Sequence, residues 1–148
     1  MQNISETKTL PYSTRQLFEL VIDVEKYHEF LPWVAGCSII SKEEDTLTAD
    51  MTISFKGISQ SYRSKIKYQI SEDGGFIDVT AISGPFKKLH NLWNFTSLDK
   101  GTKLEFSVDL EFNSSLLKNI LSGALKSVLH KMIIAFEKRA MEKYGTEN

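Results

Sequence analysis

One cysteine, Cys37, and three prolines are all that the 148 residues contain of either type. A lone cysteine excludes an internal disulfide framework and any CxxC motif, and it fits a reducing compartment. Charge of one sign is missing too. Eighteen Lys and Arg stand against 19 Asp and Glu, a formal net charge of −1. A protein that lives on polyanions carries a positive excess, so DNA is not an expected partner. No apolar run approaches the ~18–20 residues that span a bilayer. Residues 1–6 show neither a basic segment leading into an apolar one nor the arginine-rich character of a transit peptide. The expectation is a cytoplasmic, bacterial-type domain, with peripheral membrane contact left open.

The chemistry that is absent narrows the function further. There is no G-x-G-x-x-G and no P-loop, hence no standard nucleotide cofactor. There is no G-x-S-x-G elbow for a serine nucleophile. His28, His90 and His130 fall in different expected elements, and none has a His or Cys neighbour at metal-ligand spacing. They read as surface or structural histidines, so no metal is expected. Cys37, within residues 34–39, reads as a buried and inert thiol. Asp109 and Glu111 point the same way on a strand, but on the face opposite Val108, Leu110 and Phe112, which is the solvent side. No cofactor and no catalytic residue is assigned, and the chain is expected not to be an enzyme.

What is present is a globular composition, 41% hydrophobic and 25% charged, enough for a core. Residues 1–148 are expected to form a single domain. Residues 3–10 read as a strand ending at Pro11. Ser13-Thr14-Arg15-Gln16 has capping-box spacing and opens a helix with Leu17, Phe18, Leu20, Val21 and Val24. Asp23 is placed to cap a second short helix running to Phe30, before Pro32. The middle is strand after strand. Leu47, Ala49, Met51, Ile53 and Phe55 alternate with polar residues. Tyr62, Ile66, Tyr68 and Ile70 share a face opposite Arg63, Lys65 and Lys67, and Leu104, Phe106, Val108, Leu110 and Phe112 repeat the pattern. About six antiparallel strands follow one another through short turns. From Asn113 or Ser114 the period changes to a helix of roughly thirty residues, ~45 Å long, ending near Tyr144. The fold class is α+β: a curved seven-stranded antiparallel sheet gripping one long C-terminal helix, with an apolar gap between them as a place for a greasy ligand.

Aromatic segments carry the functional signal. Tyr27, Phe30, Leu31 and Trp33 cluster around Pro32 in a loop, where such residues are normally covered or bind something. Gly84-Pro85-Phe86 interrupts the strand pattern, which points to a bend or bulge, and Trp93 follows on the next strand. Pattern alone adds Phe55, Leu121 and Leu125 as cavity-facing positions. Arg63, Lys65 and Lys67 form a basic stripe that could touch phosphates or lipid headgroups.

At these segments the sequence resembles the START-like, helix-grip proteins of the polyketide cyclase/dehydrase type. Within them it resembles the coenzyme Q-binding Coq10 group, whose bacterial members include the RatA-type proteins. The matching pieces are Pro11-Tyr12-Ser13, Asp23-Val24-Glu25-Lys26-Tyr27-His28-Glu29-Phe30-Leu31-Pro32-Trp33, Gly84-Pro85-Phe86-Lys87-Lys88-Leu89, Leu92-Trp93-Asn94-Phe95, Val108-Asp109-Leu110-Glu111-Phe112 and Ala135-Phe136-Glu137-Lys138-Arg139-Ala140. His28 departs from a proline in that pattern, His90 from an acidic or apolar residue, and Cys37 is displaced from the place after Trp33.

The resemblance implies a hydrophobic tunnel between sheet and helix. It also implies carriage of a lipophilic quinone, ubiquinone or a related prenyl quinone, in support of respiration and quinone biosynthesis. Leu31 and Trp93 match family positions tied to quinone use, and Phe30 and Phe86 sit in the same motifs. With Trp33, Phe55, Leu121 and Leu125 these are the expected ligand-binding residues, and Trp93→Ala is expected to weaken binding more than it unfolds the chain. The alternative that the resemblance carries is a ribosome-binding protein that interferes with subunit association. An enzyme of the cyclase or hydratase kind ranks last, because no acid or base can be named for its cavity.

Overall fold

The computed structural model describes residues 2–55, 57–121 and 123–145, with the side chains of residues 2, 120 and 121 set aside. Strand β1 (Gln2–Leu10) leads into helix α1 (Thr14–Ile22) and a 3₁₀ helix (Val24–Glu29). Six strands follow: β2 (Val34–Lys42), β3 (Thr46–Phe55), β4 (Ile58–Ile70), β5 (Gly74–Ser83), β6 (Phe86–Ser97) and β7 (Thr102–Phe112). Helices α2 (Ser115–Leu121) and α3 (Leu125–Tyr144) complete the chain. The seven strands form one antiparallel sheet in the order β1-β7-β6-β5-β4-β3-β2. This is the helix-grip architecture that the alternation of β3, β4 and β7 calls for.

Local chemistry explains the element starts. Ser13 Oγ accepts from the Gln16 backbone N–H at 3.1 Å, and Gln16 Oε1 accepts from the Ser13 N–H at 3.0 Å, a complete capping box. α1 then buries Leu17, Phe18, Leu20 and Val21, with the Phe18 ring 5.9 Å from Phe95 and 6.1 Å from Tyr68. The expected second short helix is a 3₁₀ turn, and Asp23 makes no side-chain cap to it. It is held from inside instead: the buried Tyr27 hydroxyl donates to the Val21 carbonyl.

The single thirty-residue C-terminal helix is corrected to two. α2 has seven residues and α3 twenty, with Gly123 and Ala124 in a turn between them. Gly in a helix interior costs about 1 kcal/mol relative to Ala, and this one falls where the apolar positions change face. Leu117 of α2 is buried and α2 packs on β7, while α3 lays Ile133, Phe136 and Ala140 into the core. The stripe looked too wide for one helix because it serves two. Ser114, of the two candidate caps, takes the role, its Oγ accepting from the N–H groups of Leu116 and Leu117.

Polar straps hold α3 along both flanks. On one side Lys8 Nζ meets Glu137 at 2.9 Å and His130 Nδ1 meets Glu6 at 2.8 Å, both from β1. On the other, Arg139 donates to Glu29 of the 3₁₀ helix at 2.5 Å, which holds the Glu29 carboxyl below its usual pKa. The hydroxyl of Tyr144 donates to the Gln16 carbonyl, and that of Tyr12 to Gly145. Exposed pairs of this kind contribute little each; their effect is to fix where the helix crosses the sheet.

Candidate functional site: an apolar cavity under the C-terminal helix

The concave face of the sheet and the first half of α3 do not close on each other. Between them lies a cavity of about 200 Å³. β3, β4 and β5 supply one wall, β6 and β7 the floor, and Leu125, Val128, Leu129 and Met132 of α3 the roof. The segment after the 3₁₀ helix closes one side with Leu31 and Trp33. Among the described residues no Asp, Glu, His, Lys or Arg lines it. Its size is below the ~300–1,000 Å³ of ordinary small-molecule sites, so it accommodates a ring or a short chain segment rather than a full polyprenyl tail.

Of the expected ligand-binding residues, the cavity brings together Leu31, Trp33, Phe86, Trp93 and Leu125. Phe30 and Phe55 stand outside its walls. The Phe30 ring turns away, packing at 5.0 Å on Phe136 and 6.0 Å on Tyr27, with the Arg139 guanidinium 5.1 Å over its face. It is a cation–π and core position. The side chain of Leu121 lies outside the described residues. Trp93 is 2% exposed, with its ring 4.7 Å from Phe106 and 5.2 Å from Phe136, so it is core and cavity floor at once.

Sequence reasoning missed the polar members of the lining, Tyr62, Ser64 and Asn91 as well as Cys37. The signal was there. Ser64 stands two residues from both Tyr62 and Ile66 on the apolar face of β4. Asn91 likewise interrupts the apolar set Leu89, Trp93 and Phe95 on β6. A small polar residue inside a period-two apolar run is an anomaly that asks for a partner. Asn91 has two: its Oδ1 accepts from the Trp93 indole N–H at 2.8 Å, and its amide donates to the Ser107 carbonyl at 2.9 Å.

Cys37 sits on the cavity wall with its thiol pushed from 9.0 up to about 11, first by burial and then by the nearby Glu25 and Asp50 carboxylates. A thiol with this pKa stays protonated and unreactive at neutral pH. Two pH units leave about a hundredfold less thiolate than an ordinary cysteine would have. Iodoacetamide should therefore label the native protein at pH 8 about a hundredfold more slowly than the urea-unfolded chain. Equal rates would show an exposed thiol of ordinary reactivity.

The other candidates are paired or lie exposed on the surface. Arg63 makes a bidentate contact with Asp50, at 2.7 and 3.0 Å, which holds the Asp50 carboxyl below its ordinary range and removes one charge from the basic stripe. Lys65 and Lys67 are exposed on the convex face, away from the cavity. His90 meets Asp78 at 3.0 Å and His28 is exposed. Asp109 accepts from the Asn3 amide, and Glu111 lies 3.8 Å from Lys87. No group of three metal-ligating side chains occurs among the described residues, and no helix among them is long and apolar enough to cross a membrane.

Comparison with known proteins places this geometry. Residues 10–137 match the family model described as polyketide cyclase / dehydrase and lipid transport. A curated relative, the ribosome association toxin RatA of Rickettsia prowazekii, is 38% identical over 143 residues, 96% of this chain and 98% of that one. The mitochondrial coenzyme Q-binding protein COQ10 of Dictyostelium discoideum is 33% identical over 147 residues, covering 96% of this chain and 70% of the relative. Among solved structures, a START superfamily protein from Mycobacterium smegmatis superposes with a TM-score of 0.79 at 18% identity, covering 95% of this chain and 97% of that chain. By family match, relatives and fold together, the chain belongs to the polyketide cyclase/dehydrase and lipid transport family and has the START-like helix-grip fold.

Proposed function

We propose that this chain binds a lipophilic ring compound of the prenyl-quinone class in the cavity under α3 and carries it rather than transforming it. The observation that carries this reading is the lining: a mostly aliphatic and aromatic wall with no Asp, Glu, His, Lys or Arg among the described residues. Burial of an apolar ligand there returns ~25 cal/mol per Å² of surface removed from water, with no charged partner required. The name of the Dictyostelium relative supports the quinone as the ligand class. Phe86, Trp93, Leu31 and Trp33 would face the ring, and Leu125 the emerging tail. Organic extraction of the purified protein followed by mass spectrometry should yield a quinone or prenyl lipid near one equivalent. A ligand-free extract, together with no binding of added ubiquinone, would sink the reading.

A second reading, ribosome association, is favoured by the name and full-length coverage of the Rickettsia relative. It predicts co-sedimentation with ribosomal subunits that weakens steeply as salt rises. The near-neutral charge, −1 overall, gives it little electrostatic support.

A further inference from the structure

Most polar groups on the cavity wall are already spent. The Tyr27 hydroxyl donates to the Val21 carbonyl, the Trp93 indole to Asn91, and the Asn91 amide to Ser107. Two hydroxyls on β4 are different. Tyr62 reaches only the thioether sulfur of Met51, at 3.3 Å, and a thioether is a weak acceptor. Ser64 is 4% exposed and lines the cavity, and its hydroxyl makes no hydrogen bond among the described residues. No fully enclosed side-chain oxygen or nitrogen among them lacks a partner, so the Ser64 oxygen opens onto the cavity space. Residues two apart on a strand share a face, their Cα atoms ~6.5 Å apart. The Tyr62 and Ser64 side chains therefore rise from one strand face onto the same cavity wall, a short polar bar along β4.

The bar is fixed in place. The Phe86 ring meets the Tyr62 ring edge-on at 5.2 Å, and Gly84 stands so close to Tyr62 that a Cβ there would lie 2.5 Å from the Tyr62 Cβ. Across β3 stands Met51, whose flexible side chain can withdraw its sulfur at small cost. Burial keeps the Tyr62 phenol protonated far above neutral pH, so it is a donor throughout the physiological range.

We infer that the hydroxyls of Tyr62 and Ser64 are the polar recognition element of the cavity, donating hydrogen bonds to a carbonyl oxygen of the bound lipophilic molecule. This deepens the ligand reading above and rests on it. The bar selects an oxygenated ring over a hydrocarbon of equal size, because only an acceptor oxygen replaces the sulfur at Tyr62 and satisfies Ser64. A neutral hydrogen bond of this kind changes affinity about five- to tenfold.

The test uses two probes of comparable bulk: ubiquinone with a one-isoprene tail, and farnesene, an isoprenoid hydrocarbon without oxygen. Each displaces bound 1-aminoanthracene from the wild type, Tyr62→Phe, Ser64→Ala and the double variant. Tyr62→Phe should lose about five- to tenfold in ubiquinone affinity and stay within about twofold for farnesene, with a further loss in the double variant. The infrared carbonyl band of ¹³C-labelled ubiquinone should be down-shifted in the wild-type complex and move back up in Tyr62→Phe. This readout needs only the folded fraction. Unchanged ubiquinone affinity and an unmoved band would overturn the inference while leaving lipid binding intact. Parallel losses for both probes would make Tyr62 a packing residue and overturn it as well. If the wild type binds neither probe, the ligand reading fails and takes this inference with it.

Discussion

Trp93→Ala should lower the melting temperature by about 10 °C or more. Trp93 is 2% exposed and stands at the centre of an aromatic nest with Phe106 and Phe136. Truncating a buried Trp costs about 3–5 kcal/mol, and for a domain of this size each kcal/mol moves the midpoint by ~2–4 °C. A second loss adds to the first. Without the indole N–H, the Asn91 side-chain oxygen has no donor in a nearly dry wall. Stability should therefore be the first casualty, whereas the sequence alone led to the expectation that binding would fail before folding. Trp33→Ala is the matched control. Trp33 touches the same cavity but is only half-buried, in the segment that closes its side. It should cost about 1–2 kcal/mol while depressing ligand affinity as much. Thermal unfolding by far-ultraviolet circular dichroism separates the two. A melting temperature of Trp93→Ala within 3 °C of the wild type would place Trp93 outside the cooperative core.

The two expectations differ because a sequence shows some features of this fold and hides others. The strands of this fold announce themselves because one sheet face is dry and the other wet, so period-two alternation is forced on β3, β4 and β7. Ser13 and Gln16 mark a helix start because each side chain accepts from the other's backbone N–H, at a turn with no preceding helical carbonyls. The cavity is another matter. Phe30 and Leu31 are neighbours of similar character, yet one lies beneath Arg139 and the other lines the cavity. Which way each points depends on the 3₁₀ turn before them, and nothing in the period of the sequence encodes that. Apolar residues that line a hole and those that fill a core have the same composition, so Phe55 could not be told from Phe86. The break before α3 was legible in Gly123, but a helix tolerates one glycine, and the change of buried face decides the matter only in three dimensions. Polar residues are the more informative marks. Ser64 and Asn91 violate the pattern around them, and both are found on the cavity wall.

Gly84→Ala should couple stability to ligand recognition. Gly84 has φ +119°, and a Cβ there would lie 2.5 Å from the Tyr62 Cβ and 2.9 Å from its Cα. Two costs follow: the strain of a non-glycine residue at that backbone angle, about 1–3 kcal/mol, and a clash with backbone that cannot yield. The turn cannot simply move away, because the Asn113 side chain donates to the Gly84 carbonyl at 3.1 Å and the Asn113 N–H to the Pro85 carbonyl at 2.9 Å. What must shift is β4 at Tyr62, and with it the hydroxyl on the cavity wall. The variant should thus lose about 3 kcal/mol of stability and, in its folded fraction, repeat the ubiquinone-selective loss of Tyr62→Phe. Gly57→Ala isolates the clash. Gly57 also has positive φ, +80°, but nothing lies within 4 Å of its missing Cβ. It carries only the left-handed penalty, about 1–2 kcal/mol, and should leave the affinity for both probes unchanged. Chemical denaturation gives the stabilities, and the displacement assay gives the affinities. If Gly84→Ala and Gly57→Ala behave alike in both, the β5–β6 turn does not position Tyr62, and the bend at Gly84-Pro85-Phe86 serves only to connect two strands.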